Sequence, residues 1–176
     1  MSGGNAPSQN PTHAGCGELR VLVDGDACPV KDEVYKVGAR YGVPVIVVAN
    51  SYLRVPIDPL VTRVVVDDGA DAADDYIAEH SDGFAVIVTA DILLAERSLK
   101  VGATVIAPNG KPFTEASIGN AVALRSLMSD LRAGGDAIGG PAPFTRQDRS
   151  RFLSALDEAL VRLRRNQRDD PVTRTS

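Results

Sequence analysis

Residues 19–31 read LRVLVDGDACPVK, a short apolar run that ends in Asp24 and Asp26 around Gly25. The run is rich in Val and Leu and only strand-length, so it predicts a β-strand over about Leu19–Val23. A helix should follow, with Pro29 at its first position, Asp32 and Glu33 in its first turn, and a stop near Gly42. Further apolar runs continue the pattern. VPVIVVAN (43–50) and RVVVDD (63–68) predict strands two and three, with a helix after them over about Ala72–His80. FAVIVTA (84–90) predicts strand four, with a helix over about Ile92–Val101, and ATVIAP (103–108) predicts strand five. β-Branched runs without alternation mark strands buried on both faces, which is the habit of parallel sheets. Strand alternating with helix then predicts an α/β domain, a doubly wound and mainly parallel sheet with right-handed crossovers.

Past Asn109 the pattern becomes helical. Thr114 is placed to cap a helix running to about Arg132, with Ile118, Val122, Leu127 and Leu131 on its apolar face. GGDAIGGPAPF (134–144) is too irregular for any element. Thr145 opens a last helix with Asp148 at the capping-box position, where Glu or Gln is usual. Phe152, Leu156, Ala159 and Leu163 recur at helical spacing, and they predict docking either on the sheet domain or on a second subunit as a homo-oligomer contact. The expected organisation is a disordered 1–17, an α/β domain over 18–133, a loop and C-terminal helical extension over 134–165, and a disordered tail over 166–176.

A chain of 176 residues with 44% apolar content suits one domain with a proper core. No apolar run reaches the roughly 18–20 residues that span a bilayer, so no membrane association is expected. The polar start lacks the charged and apolar parts of a secretory signal, and a cytoplasmic protein is the expectation. Two cysteines, Cys16 and Cys28, make neither a disulfide framework nor a zinc site. The net charge of −4 argues against a general, sequence-blind nucleic-acid binder. The charge is uneven: residues 19–133 carry 16 acids against 11 bases, whereas 146–168 carry seven arginines against three acids. A basic late helix suits phosphate steering towards an acidic centre, and it equally suits a solvated helix.

The acids collect at strand ends. Asp24 and Asp26 follow strand one, Asp67, Asp68, Asp71, Asp74 and Asp75 follow strand three, and Asp91 follows strand four. In an open parallel sheet these ends share one crevice. Carboxylates gathered there repel unless a cation sits between them, and oxygen ligands point to Mg²⁺ or Mn²⁺. Asp71, Asp74 and Asp75 stand at i, i+3 and i+4, on one helical face. Gly25 permits a sharp turn that leans Asp24 and Asp26 into one crevice. Each acid also has an ordinary reading: Asp26 as a cap for the helix at Pro29, Asp67 and Asp68 as turn residues, and the helix acids as a solvated N-terminal face. Thr89 can orient a carboxylate or touch phosphate. Lys31, Arg97, Lys100 and Lys111 can bind phosphate, and Asn50 can meet substrate at the same rim. A metal pair so held activates water and stabilises a phosphodiester's charge, as in nucleases. Cys28 precedes a helix start, but neither His13 nor His80 is placed to serve it as a base, so it reads as a small packed residue.

The stretch Val23–Lys31 (VDGDACPVK), with GADAADDYI, VTADILLAE, FTEASIGNAVALRSLMSDLR and GGPAPFTRQDRSRFLSALDEAL, resembles the YaiI/YqxD family of uncharacterised bacterial proteins. The likeness covers nearly all of residues 19–163. That family in turn resembles PIN-like nuclease domains, whose strand-end acids bind Mg²⁺ or Mn²⁺. The resemblance implies metal-dependent hydrolysis of phosphodiesters, with RNA as the expected substrate. Asp24 would be the first acid, Asp71 or Asp75 the helix acid, Asp91 the acid after strand four, and Asp26 a further ligand. Asp24, Asp75 and Asp91 would carry catalysis, and Lys31, Asn50, Thr89 and Lys111 would meet substrate. Gly25 stands where the family usually has alanine, an exchange expected to be harmless.

Two other classes compete. The Asp-Gly-Asp motif also resembles haloacid-dehalogenase phosphatases, but Ala27-Cys28 follows the pair where those enzymes want threonine or valine. A non-catalytic RNA- or protein-binding module fits the same fold, although 5% aromatic content leaves few base-stacking platforms.

Overall fold

The computed structural model describes residues 17–26, 28–67, 69, 71–133 and 143–169. The loop expected over 134–144 lies almost wholly outside these residues, as do most of 1–17 and the tail beyond Asp169.

Six strands form one sheet in the order β3-β2-β1-β4-β5-β6. They are β1 (Arg20–Asp24), β2 (Val45–Ala49), β3 (Val61–Val65), β4 (Ala85–Val88), β5 (Thr104–Ile106) and β6 (Pro112–Phe113). The first five are parallel, and β6 returns antiparallel to β5 through a hairpin. The helices are α1 (Lys31–Tyr41), α2 (Ala72–Glu79), α3 (Ile92–Lys100), α4 (Glu115–Ala133) and α5 (Arg146–Asp169).

Alternate residues of each buried strand feed two cores. Val21, Val23, Val45, Val47, Val86, Val88 and Ile106 pack with α1 and α5. Leu22, Val48, Ala85, Ile87 and Val105 pack with α2, α3 and α4. The result is helix, sheet, helix, the doubly wound α/β architecture. The chain moves outward from β1 to β2 on the α1 face, and from β4 to β5 on the α2/α3 face. Winding therefore reverses between β1 and β4, and there the crevice of such a sheet opens.

Several expectations need correction. β6 has no counterpart among the expected strands, because two residues are too few to show periodicity. β3 begins at Val61 rather than Arg63, and as an edge strand it is only half-buried. α1 begins at Lys31, since Pro29 and Val30 form a turn. α4 buries Ile118 and half-buries Val122, yet it leaves Leu127 and Leu131 exposed. α5 runs to Asp169, so 166–169 form its last turn rather than part of a disordered tail.

α5 docks on the sheet and on α1. Phe152 and Leu156 are wholly buried. Arg149 reaches Pro29 O and Glu33, the Tyr41 hydroxyl donates to Asp157 (2.6 Å), and Arg164 hydrogen-bonds Tyr41 O. Thr145 and Asp148 form a reciprocal capping box: Thr145 N donates to Asp148 Oδ2 (2.8 Å) and Asp148 N to Thr145 Oγ1 (3.2 Å). Aspartate thus closes the box despite its shorter side chain.

At the amino ends of the strands, Arg20 is buried (4% exposed) and ion-paired to Asp82 at 3.1 Å, with further bonds to Glu18 O and His80 O. Burial alone would raise the Asp82 carboxyl, but bonds from Arg20 and the amides of Phe84 and Gly17 hold it below its ordinary value. A depressed carboxylate stabilises the fold above its unfolded pKa and loses that contribution as pH falls through the folded one. Arg20→Met should therefore cost about 2 kcal/mol in urea unfolding at neutral pH, because the part-buried Asp82 keeps its amide bonds but loses the charged donor. The stability gap between wild type and Asp82→Asn should be full at neutral pH and close in acid.

Candidate metal site at the carboxyl rim

β1 ends at Asp24, and β4 is followed directly by Thr89. Both residues project on the α2/α3 side. Thr89 is buried (2% exposed), and its Oγ1 donates to Asp24 Oδ2 at 3.0 Å. The same oxygen accepts from Asp91 N at 3.0 Å. One hydroxyl thus joins the ends of the two strands that flank the switch point. Asp91 caps α3, its Oδ1 accepting from Leu93 N (2.8 Å) and Leu94 N (3.2 Å). Its Oδ2 accepts nothing among the described residues and stays available.

Asp26 turns the other way. Its Oδ2 accepts from Asn50 N at 2.9 Å, tying the loop after β1 to the end of β2. It does not cap α1, whose N-cap is Val30 without a side-chain bond. Asn50 Oδ1 is buried and finds no partner among the described residues, which is the state of a group that awaits water or ligand. Gly25 sits between the two acids without a positive φ. Its role is close approach: Gly25 N donates to Val48 O at 2.8 Å, and a Cβ there would lie 2.7 Å from Val47 Cγ1 and 3.0 Å from Val48 O. An alanine here would press on the β2 backbone and the Val47 side chain, which glycine avoids.

The helix acids divide. Asp75 is exposed and paired outward to Arg97 on α3 at 2.8 Å. Asp71, also exposed, precedes α2 without capping it by its side chain. Asp74, half-buried and absent from the sequence-based set of ligands, is the acid that feels the crevice. Burial first, then the charges of Asp91, Asp24 and Asp71, push its carboxyl up to about 6 against the pull of Arg97. Burial also raises Asp24; the Thr89 bond opposes this, and the charges of Asp26 and Asp91 add to it. Helical spacing put three acids on one face, but only packing of α2 against the sheet distinguishes Asp74.

Lys31 folds back on the motif, its Nζ donating to Gly25 O (3.2 Å) and Cys28 O (3.0 Å). Lys111 is exposed in the β5–β6 hairpin, away from β1. Cys28 is buried among the α1 core residues, and burial raises its thiol, so it remains protonated. Among the described residues no three carboxylate, imidazole or thiol groups stand close enough to enclose a cation as placed. What the rim offers is a field: the charges of Asp91 and Asp24 oppose ionisation of Asp74, the charge of Asp91 opposes that of Asp24, and a cation would relieve both.

An acid with a raised pKa destabilises the fold as pH rises from its unfolded value through its folded one, and the loss persists above. Asp74→Asn should therefore stabilise the metal-free protein at pH 7.5 by about 1 kcal/mol, with the shift discounted for screening at a half-exposed group. The gain should vanish near pH 4, as read by urea midpoints at the two pH values.

The model of the uncharacterised YaiI/YqxD family matches residues 22–162. A "UPF0178 protein" of Sphingopyxis alaskensis is 64% identical over 146 residues, covering 82% of this chain and 95% of the relative. That of Nitrobacter winogradskyi is 58% identical over 147 residues, covering 84% and 94%. "UPF0178 protein BRADO3147" of Bradyrhizobium sp. is 56% identical over 147 residues, covering 84% and 90%. No solved structure matches the chain. The match spans β1 to α5, the rim acids included, and the chain belongs to the YaiI/YqxD family.

Proposed function

We propose that the rim is a Mg²⁺- or Mn²⁺-dependent phosphodiester-hydrolysing site acting on RNA, a PIN-like nuclease centre. The observation that carries this reading is the Asp24–Thr89–Asp91 bridge at the switch point, with Asp74 driven to about 6 by the same charges. Asp24, Asp74 and Asp91 would hold the cation, and Asp26 with the orphaned Asn50 Oδ1 forms the opposite wall. The helix acid in this reading is Asp74 rather than Asp71 or Asp75. A bound divalent ion supplies Lewis-acid stabilisation of the phosphodiester's charge and lowers the pKa of its water. The chain's own residues do the rest. Thr89 fixes the two principal acids, Lys31 keeps the loop between Asp24 and α1 in place, and Lys111 offers charge to a neighbouring phosphate. A cytoplasmic setting agrees with the free, buried thiol of Cys28.

The non-catalytic binding module remains the second reading. It is favoured by the lack of a convergent ligand set among the described residues. A phosphatase of the haloacid-dehalogenase type fits poorly, because Asp26 is bonded across β2 rather than set beside Asp24.

Mn²⁺ titration tests the metal site on which the first reading rests. A cation bound only by the folded state stabilises it by about 2.7 kcal/mol at 100 times its dissociation constant. Wild type should show a rising unfolding temperature with Mn²⁺. Asp91→Asn, which keeps an N-cap oxygen, should lose most of that rise at little cost in basal stability. An equal response in both proteins, or none in either, contradicts the metal site.

A further inference from the structure

Across the sheet from the rim acids, α5 and the β5–β6 hairpin enclose a cleft of about 710 Å³. Gly110 sets its width. Its φ is +86°, and a Cβ there would lie 2.5 Å from Arg151 C and 2.6 Å from Phe152 N, so hairpin and helix meet backbone to backbone. That approach brings Lys111 beside Arg151. The floor is apolar, made by Ile106, Pro112, Ala155 and Ala159. The walls carry Lys111, Arg151 and Arg162 against a single acid, Glu158.

The cations are only loosely engaged by the fold, although Arg151 and Lys111 both act on the capping carboxylate of Asp148. Lys111 and Arg162 make no ion pair among the described residues, and Arg151 reaches Asp148 only at 3.7 Å with its side chain 59% exposed. Arg151 and Arg162 lie on one stripe of α5, about 16 Å apart at 1.5 Å rise per residue. β5 is the second strand from β1, a lateral offset of about 10 Å, and the cleft lies on the opposite face of the sheet from Asp24, so a ligand that reaches both passes over the carboxyl edge of the sheet. A small phosphate would engage one end only. A ligand with charges along its length and apolar bodies between them matches both the cationic walls and the apolar floor.

Building on the function proposed for the rim, we infer that this cleft is a backbone track for single-stranded RNA that passes over the carboxyl edge of the sheet to place a phosphodiester further along the strand at Asp24 and Asp91. The protein is acidic overall, and the track supplies the local positive charge that the rim lacks. It also gives the uneven charge of the chain a purpose: the arginines of α5 hold phosphates where the acids repel them.

The test uses the full chain in an Asp24→Asn background, so that RNA is bound without being cut. Anisotropy is read with two labelled probes, a dinucleotide and a single strand long enough to span rim and cleft. Adding Lys111→Ala, Arg151→Ala and Arg162→Ala together should weaken the long strand at least tenfold. It should also make the salt dependence shallower by about two, at roughly 0.7 for each phosphate no longer neutralised. Dinucleotide binding should weaken far less than long-strand binding, by no more than the Lys111 contact contributes, and the unfolding temperature should stay unchanged. Equal affinity of both proteins for the long strand overturns the track. If wild type responds to Mn²⁺ but the long strand does not bind, the track falls and the metal rim stands. If the strand binds through the three cations in a protein indifferent to Mn²⁺, the track stands and the nuclease reading falls.

Discussion

The Thr89 hydroxyl donates to Asp24 and accepts from the Asp91 amide, and the arrangement of the rim follows from that one buried atom. Thr89 is held because β4 lies beside β1 in register, with Val23 opposite Val88. Losing the hydroxyl would leave Asp24, already raised by burial, without the hydrogen bond that favours its charge. It would also free the residue that starts α3. Strand pairing, carboxylate ionisation and helix initiation are therefore coupled at one place.

Around this point the fold separates two kinds of charge. The α2/α3 side of the crevice gathers acids whose mutual repulsion the metal-free protein must bear. The α5 side places arginines where they close the fold through Glu33 and Tyr41 or line the cleft. The sheet keeps these fields apart by about two strand spacings, roughly 10 Å, which is near a Debye length in ordinary salt. A ligand that spans both regions meets an attractive surface beside a repulsive one, and a divalent cation changes the balance at the rim alone.

Much of this is legible in the sequence because it rests on local rules. The buried β-branched runs mark the parallel strands, and their ends mark the crevice with Asp24, Thr89 and Asp91. The spacing from Phe152 to Leu163 marks a docked helix, and Thr145 with Asp148 marks its cap. What depends on packing between distant elements is not legible. Which of Asp71, Asp74 and Asp75 is half-buried follows from how α2 packs against the sheet, which i, i+3, i+4 spacing cannot show. Asp26 stays open between cap and ligand until Asn50 N claims it across β2. Gly25 reads as a turn glycine, and only the distance to Val47 shows that close approach is its role. The two-residue β6 and the cleft that it helps to close leave no periodic trace.

Asp24, Asp74 and Asp91 are held to share one electrostatic site, and carboxyl-carbon NMR across a pH titration tests this most directly. In the metal-free wild type, Asp74 should titrate at about 6. Its midpoint should fall towards the ordinary carboxylate range in Asp24→Asn, and also when Mg²⁺ is added to wild type. An Asp74 that titrates as an ordinary carboxylate in wild type, or one indifferent to both changes, would contradict a shared site and leave the rim acids as separate caps and surface charges.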